Sequence, residues 1–201
     1  QDPLENYANV LTSVKNCLDE FKKTGGALAN IKTCGLSNQR ETFVVWDESG
    51  QPLYNAVVWQ CKRSVEICAQ LKAEGLEPLI RERTGLIIDP YFSATKLIWL
   101  YRNIEKVRNA IDEGKAFFGT VDTWLLYRLT DGEQYLTDHT NASRTLFFNL
   151  KTLGWDAEIL NAFGLTKLNL PQIKPAAAAY GASTFGGRFQ QRLSIGAMVG
   201  A

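Results

Sequence analysis

The stretch Gly35-Leu36-Ser37-Asn38-Gln39-Arg40-Glu41-Thr42 joins the end of an apolar run to a cation and a carboxylate. Residues 31–36 predict a strand, and the polar residues after them predict a loop. In open α/β sheets, ligands bind outside the carboxyl ends of the strands. Arg40 offers fixed donors and Glu41 offers acceptors, a combination that suits adjacent hydroxyl groups. The alternative is a surface ion pair, since exposed charge pairs are common and weak.

The composition is that of an ordinary globular protein and excludes several functions. The chain has 201 residues, of which 45% are hydrophobic, and a net charge of +1. This length allows a real core, whereas the charge argues against a nucleic-acid partner. No apolar run approaches the ~20 residues that span a bilayer, so we expect no membrane partner. Four cysteines without a CxxC pair, together with a lone histidine, predict buried free thiols, no metal site and a cytoplasmic protein.

The hydrophobic periodicity predicts helices mixed with strands, and therefore α/β layers around a mixed sheet flanked by helices. Strands are expected at residues 31–36, 43–47, 53–60, 115–118, 134–138, 146–150 and 194–199. Helices are expected at residues 63–73, 76–83, 94–102, 104–113, 122–129 and 155–163. A first helix is expected to begin after Asp2 and to end before Gly25. Its core stripe is predicted to be Leu4, Tyr7, Leu11, Val14, Leu18 and Phe21.

Several blocks of the sequence resemble the FGGY family of carbohydrate kinases. They cover residues 35–42, 54–60, 84–93, 118–125 and 137–145, in the family's order and spacing. The run from Tyr91 through Lys96 to Asn103 fits the family's first signature pattern. The resemblance implies a ribonuclease H-like domain of the actin and Hsp70 type. Relatives are often dimers or tetramers, so a homo-oligomer is expected.

The resemblance also implies which residues bind the substrate. Arg40, Glu41 and Tyr91 are expected to hydrogen-bond the hydroxyls of glycerol, and Trp59 is expected to form an aromatic wall. Without the resemblance, Trp59 and Tyr91 would be interpreted as core aromatics. The polar run 140–145 also matches the family, and we interpret its side chains as closing turns and binding backbone groups.

The implied activity is the ATP-dependent phosphorylation of glycerol to glycerol 3-phosphate, with Mg²⁺. ATP and Mg²⁺ enter through the resemblance alone, because the sequence contains no GxxxxGK[ST] loop. Two alternatives stay open. One is a kinase for another polyol or ketose, such as erythritol or xylulose, and the other is a non-catalytic sugar-binding domain.

The sequence departs from the family in two places. Ala201 stands where the family carries the aspartate expected to be the general base. We therefore predict no catalytic residue in this chain, either because the base is replaced or because the chain is cut off there, and we expect the chain alone to be inactive. The predicted domains are an N-terminal domain at residues 1–193, lacking its first strands, and the truncated start of a nucleotide-binding domain at residues 194–201.

The second departure concerns regulation. Family members can bind fructose bisphosphate through a Gly-Gly-Thr-Arg loop, and the aligned residues here are Phe189-Gln190-Gln191-Arg192. Arg192 is retained as a possible effector contact. Without the glycines, backbone amides cannot approach a phosphate as closely. We therefore expect weak or absent control by this effector.

Overall fold

The computed structural model describes residues 1–201, and it consists of helices and short strands. The helices are α1 (Pro3–Lys23), α2 (Val65–Ala73), α3 (Glu77–Thr84), α4 (Ser93–Asn103), α5 (Glu105–Asp112), α6 (Val121–Leu129), α7 (His139–Ala142) and α8 (Ala157–Ala162). The strands are β1 (Thr33–Asn38), β2 (Phe43–Trp46), β3 (Phe117–Thr120), β4 (Leu136–Asp138), β5 (Phe148–Asn149), β6 (Gly154–Trp155), β7 (Gln172–Lys174), β8 (Ala182–Ser183) and β9 (Leu193–Gly200). No helix combines the length and the apolar character that crossing a membrane requires.

The strands pair in both directions, as expected for a mixed α/β protein. β1 and β9 run parallel, and β8 pairs antiparallel with the other edge of β9. β4 pairs with β7 in parallel, while β2–β3 and β5–β6 are antiparallel pairs. Because β1 and β9 are parallel, their carboxyl ends meet, with Asn38 opposite Gly200. The residues that follow β1 therefore leave the sheet at an edge where ligands commonly bind.

The core is divided into three clusters of buried apolar side chains. The largest has 24 residues and joins β2 and β3 to α2–α5, with Phe43, Leu97 and Phe118 among its members. A second cluster lies around Ile195 and Met198 of β9. Burial of apolar surface stabilises the fold by about 25 cal/mol per Å². The largest cluster thus supports α4, the helix that contacts the candidate site described below.

Helix α1 begins and ends as predicted, but only the middle of its apolar stripe is covered. The Asp2 side chain accepts a hydrogen bond from the Leu4 amide at 2.8 Å and caps the helix. Leu18 is buried, whereas Leu4 and Phe21 are 40% and 36% exposed. The predicted stripe is therefore wrong at both ends, because the helix reaches beyond the apolar cluster on which its middle packs.

Two predicted strands are shorter or absent. Residues 53–60 form one isolated bridge to β2, between Val57 and Phe43, but no strand. The amide of Ala56 instead donates to the Gln1 carbonyl at 2.9 Å, which breaks the ladder. The strand predicted at 146–150 shrinks to Phe148–Asn149, because Leu146 has a left-handed backbone with φ of 69°. All four cysteines are free as expected, but only Cys68 is buried, and Cys17 is exposed.

Candidate functional site

The site starts from an unusual backbone conformation at Glu41. This residue has φ of 62°, in the left-handed region that side chains other than glycine rarely adopt. The amide of Thr42 donates to the Arg40 carbonyl at 2.7 Å and closes a tight turn. Strained conformations of this kind cluster at functional sites. The turn buries the Glu41 side chain, which is only 2% exposed.

The buried carboxylate of Glu41 is paired with Arg144. Arg144 Nε donates to Glu41 Oε1 at 2.6 Å, in a pair whose side chains are 26% and 2% exposed. The guanidinium also lies over two aromatic rings, 5.8 Å from the Tyr91 centroid and 4.9 Å from that of Phe92. A cation over a ring face is attracted by the ring quadrupole. Arg144 therefore links Glu41 to the predicted substrate residue Tyr91.

Trp59 and Tyr91 form the aromatic part of the site. Their ring centroids are 5.6 Å apart at an interplanar angle of 63°. The Trp59 amide donates to Thr42 Oγ1 at 3.2 Å, and the Tyr91 amide donates to Asp89 Oδ1 at 2.8 Å. Trp59 is 37% exposed, which argues against its interpretation as a core aromatic. The two rings thus present a partly open apolar surface beside the ion pair.

Arg40 lies on the side of the turn that faces β9. A Cβ atom added at Gly200 would overlap the Arg40 side chain, so the missing side chain at Gly200 makes room for the arginine. The buried Nε of Arg40 has no hydrogen-bond partner. Arg144 contacts two of the four predicted substrate residues, Glu41 and Tyr91, and Trp59 joins them through its ring contact with Tyr91. Arg40 is adjacent to Glu41 in sequence and contacts the end of β9 instead.

A buried polar network fixes the end of β1 beneath Arg40 and Glu41. Asn38 Nδ2 donates to Asn141 Oδ1 at 3.0 Å and to Asp122 Oδ1 at 3.4 Å. Thr137 Oγ1 donates to the other Asp122 oxygen at 2.8 Å, and the Asn141 amide donates to Asp138 Oδ1 at 3.1 Å. Burial raises the pKa of Asp122 to about 6. Satisfied networks of this kind hold one arrangement of the groups they join.

Ala201 lies at the same sheet edge. Its amide donates to the Asn38 carbonyl at 2.9 Å, directly after Gly200. The position predicted to carry the general base is therefore close to the end of β1. A methyl group accepts no proton, so this chain carries no such base there.

Arg144 is a site residue that the sequence interpretation did not identify. The run 140–145 was expected to close turns, and Thr140 and Ser143 do bind Asp138 and the Thr140 carbonyl. Arg144 points instead to Glu41, 103 positions earlier in the chain. The available signal was a charged residue inside a block that matched the family, but spacing in sequence does not reveal so distant a contact.

No group of three or more His, Cys, Asp or Glu side chains is arranged to hold a metal ion. The glycine pair Gly186–Gly187 lies in a turn with left-handed φ at both residues, and no helix follows it to receive phosphates. We assign no step of a reaction through Mg²⁺ or the nucleotide phosphates to these residues.

Arg192 lies in a separate, open groove of about 760 Å³. Its guanidinium pairs with Glu133 at 2.9 Å, and both side chains are about half exposed, at 43% and 55%. Three more cations line the groove, namely Lys22, Lys32 and Arg188.

The sequence profile of the N-terminal domain of the FGGY family of carbohydrate kinases matches residues 1–193, and the chain belongs to this family. It is 47% identical over 186 residues to the glycerol kinase of Pseudomonas entomophila and 44% identical over 200 residues to that of Vibrio cholerae serotype O1. These alignments cover 92% and 99% of the chain but 37% and 39% of the relatives. The chain thus spans about two fifths of their length.

The solved structures agree with the predicted fold class. A crystal structure of Plasmodium falciparum glycerol kinase with ADP superposes with a TM-score of 0.92 at 34% identity, covering all of this chain and 40% of that protein. A gluconate kinase from Lactobacillus acidophilus matches with a TM-score of 0.82 at 22% identity, covering all of this chain and 39% of that protein; this shows the fold alone. The ribonuclease H-like α/β fold of sugar kinases is therefore confirmed.

Proposed function

We propose that this chain is the glycerol-binding part of a glycerol kinase, and that the whole protein transfers the γ-phosphate of ATP to a terminal hydroxyl of glycerol. One observation carries the proposal: polar groups beside the Trp59–Tyr91 rings lack partners within the chain. Glu41 Oε1 accepts from Arg144, but Oε2 accepts from no group of the chain. Tyr91 uses its backbone groups, and its hydroxyl makes no hydrogen bond. Free donors and acceptors beside an apolar wall suit a small polyol.

Each residue has a distinct role in this proposal. Arg40 donates to one hydroxyl, and Glu41 accepts from a second through Oε2. Tyr91 contributes a phenolic hydroxyl, and Trp59 covers the carbon face of the ligand. Arg144 holds the Glu41 carboxylate in place. Hydrogen bonds to charged groups contribute about 1.5–3 kcal/mol each, so two of them select a triol over an apolar alcohol.

The remaining expectations follow from the kinase assignment. ATP as the phosphoryl donor is supported by the ADP in the glycerol kinase crystal structure. Mg²⁺ is its expected companion in phosphoryl transfer. A cytoplasmic location is supported by four free cysteines, which persist in reducing compartments. We also propose that the whole protein forms a homo-oligomer. Its N-terminal domain would comprise residues 1–193, and a second domain would begin at residue 194.

Glycerol is favoured over the alternative substrates. Curated glycerol kinases share 44–48% identity with the chain, whereas a xylulose kinase structure from Brucella ovis shares 24%. A non-catalytic sugar-binding domain has no feature in its favour beyond the alanine at position 201.

A phosphorylation assay on the whole protein that contains this chain tests the proposal. Glycerol, erythritol and xylulose are compared with ATP under identical conditions, and product formation is followed by coupled ADP release. We expect glycerol to give the highest kcat/KM. A higher kcat/KM for xylulose would show that the substrate is a ketose and not glycerol. If none of the compounds is phosphorylated, the alternative of a non-catalytic sugar-binding domain is supported.

A further inference from the structure

We propose that Lys96 is a positioning residue that sets the separation of the two aromatic rings in the glycerol site by tying together the segments that carry them. The predicted effect on glycerol binding rests on the proposed function. The hydrogen bonds by which Lys96 joins the two segments, called the tie below, are present in the protein without ligand. Lys96 lies on α4 and is fully buried.

The contacts of Lys96 are to backbone groups of two distant segments. Its Nζ donates to the Tyr91 carbonyl at 2.8 Å and to the Val58 carbonyl at 3.3 Å. The first carbonyl belongs to one ring-bearing residue, and the second immediately precedes Trp59. One ammonium group thus bridges two loops that are otherwise joined by ring contact.

The surroundings of Lys96 argue for a specific role. Buried lysines are ordinarily paired with carboxylates, because an unpaired buried charge is costly. No carboxylate lies within ion-pair distance of Nζ, and the bonds to the two carbonyls are what compensate for its burial. A methionine or leucine would fill the same apolar space without the cost of desolvation. The hydrogen-bond donor is therefore the property that separates Lys96 from an apolar side chain of similar size.

The same end of α4 also reaches the charged half of the site. Ser93 Oγ donates to the Glu41 carbonyl at 3.0 Å. Helix α4 therefore contacts the backbone of Glu41, Tyr91 and the residue before Trp59. Residues of α4 are packed in the largest apolar cluster, so the helix gives the site residues that it contacts a fixed support.

The protonation state of Lys96 provides a readout that a simple packing role would not. Burial lowers the pKa of Lys96 to about 8, while Cys61, Glu41 and Asp89 oppose this shift and Lys62 adds to it. Above that pH the amine is neutral, and its bonds to carbonyls lose their charge assistance. The tie should therefore weaken as the pH rises from 7 to 9. Burial raises the pKa of the neighbouring Cys61 thiol, but the hydrogen bonds and charge of Arg63 outweigh this effect and lower that pKa below its ordinary value.

The test compares Lys96→Met with Lys62→Met, which removes an exposed lysine from the same region. The first readout needs no ligand: ¹⁹F-NMR of the chain labelled with 5-fluorotryptophan, with the Trp59 signal assigned by Trp59→Phe. We expect Lys96→Met to shift and broaden the Trp59 signal, and Lys62→Met to leave it unchanged. The melting temperature of each variant is measured alongside, and Lys96→Leu, which also lacks a donor, serves if Lys96→Met does not fold.

The second readout is the KM for glycerol in the whole protein. We expect Lys96→Met to raise KM about tenfold, as for the loss of one charge-assisted hydrogen bond, with a smaller change in kcat. In a Cys61→Ser background, KM should rise from pH 7 to pH 9 with Lys96 present and stay flat with methionine. An unchanged Trp59 signal in a folded Lys96→Met protein would overturn the tie. A shifted signal without glycerol turnover by the parent protein would keep the tie and reject the glycerol kinase assignment.

Discussion

Two arginine–glutamate pairs in this protein have similar geometry but opposite surroundings. Arg144 and Glu41 meet at 2.6 Å, with the carboxylate 2% exposed and aromatic rings beneath the guanidinium. Arg192 and Glu133 meet at 2.9 Å in an open groove, with both side chains about half in water. Exposed pairs contribute about 0–1 kcal/mol, whereas breaking a buried pair costs about 3–5 kcal/mol. The same two residue types therefore contribute to stability at one place and little at the other, and only the buried pair lies in the candidate site.

The comparison explains why a buried pair marks the candidate site. A carboxylate that is taken out of water must be held by donors, and Arg144 supplies them to one oxygen of Glu41. The other oxygen accepts no hydrogen bond from the chain, in a side chain that is only 2% exposed. At the exposed pair, water already satisfies both partners. A ligand there gains little that solvent does not provide.

The largest expected effect comes from Arg144→Met. This change leaves the Glu41 carboxylate buried without its cation, so the free energy of unfolding should fall by about 3 kcal/mol at pH 7. Urea denaturation of the parent and variant chains measures the difference. A loss below about 1 kcal/mol would mean that solvent reaches Glu41 in solution and that the pair is of the exposed kind.

A second prediction concerns Asp122, a buried carboxyl group with no cation beside it. Burial raises the pKa of this group from 3.8 to about 6. The folded protein therefore holds a proton that the unfolded chain has released, and this contribution to stability is lost as the pH rises from about 4 to 6. Relative to Asp122→Asn, the parent should lose about 2 kcal/mol between pH 4 and 7. Unfolding curves at several pH values check this, and parallel pH profiles for the two proteins would refute it.

A third prediction concerns Arg40, whose side chain has no partner in the chain. Arg40→Ala should raise the KM for glycerol in the whole protein by about tenfold or more, because a charge-assisted hydrogen bond is lost. Stability should change by less than about 1 kcal/mol, since no internal bond is broken. Steady-state kinetics with glycerol as the varied substrate gives the result. An unaltered KM would remove Arg40 from the site.

Much of this arrangement could be predicted from the sequence, and the reasons for the failures are physical. Helix α1 follows from its Asp2 cap and its periodicity, and α4 and α6 follow from periodicity, because those signals are local. Residues 53–60 have the alternating apolar pattern of a strand, yet the Ala56 amide donates to the Gln1 carbonyl. No local sequence pattern predicts that contact. Glu41 and Trp59 were predicted as site residues from the family blocks, and they stay predictions. Arg144 and Lys96 act through partners distant in the chain or through backbone carbonyls, so their roles required coordinates.

The smallest expected effect comes from Arg192→Met, the matched partner of Arg144→Met. Its exposed pair with Glu133 should contribute less than about 0.5 kcal/mol, and the KM for glycerol should not change. The same urea and kinetic measurements apply. A loss as large as that of Arg144→Met would remove the distinction between the two pairs. Fructose bisphosphate binding that disappears in this variant would overturn the expectation of weak control.

The most direct test is an NMR titration of the chain with glycerol, observing the arginine Nε–H and tryptophan Nε1–H groups. We predict shifts at Arg40, Arg144 and Trp59, where the proposed site lies, and none at Arg192. Assignments come from single variants at each of these positions. Shifts confined to Arg192, or equal at both pairs, would contradict the placement of the glycerol site.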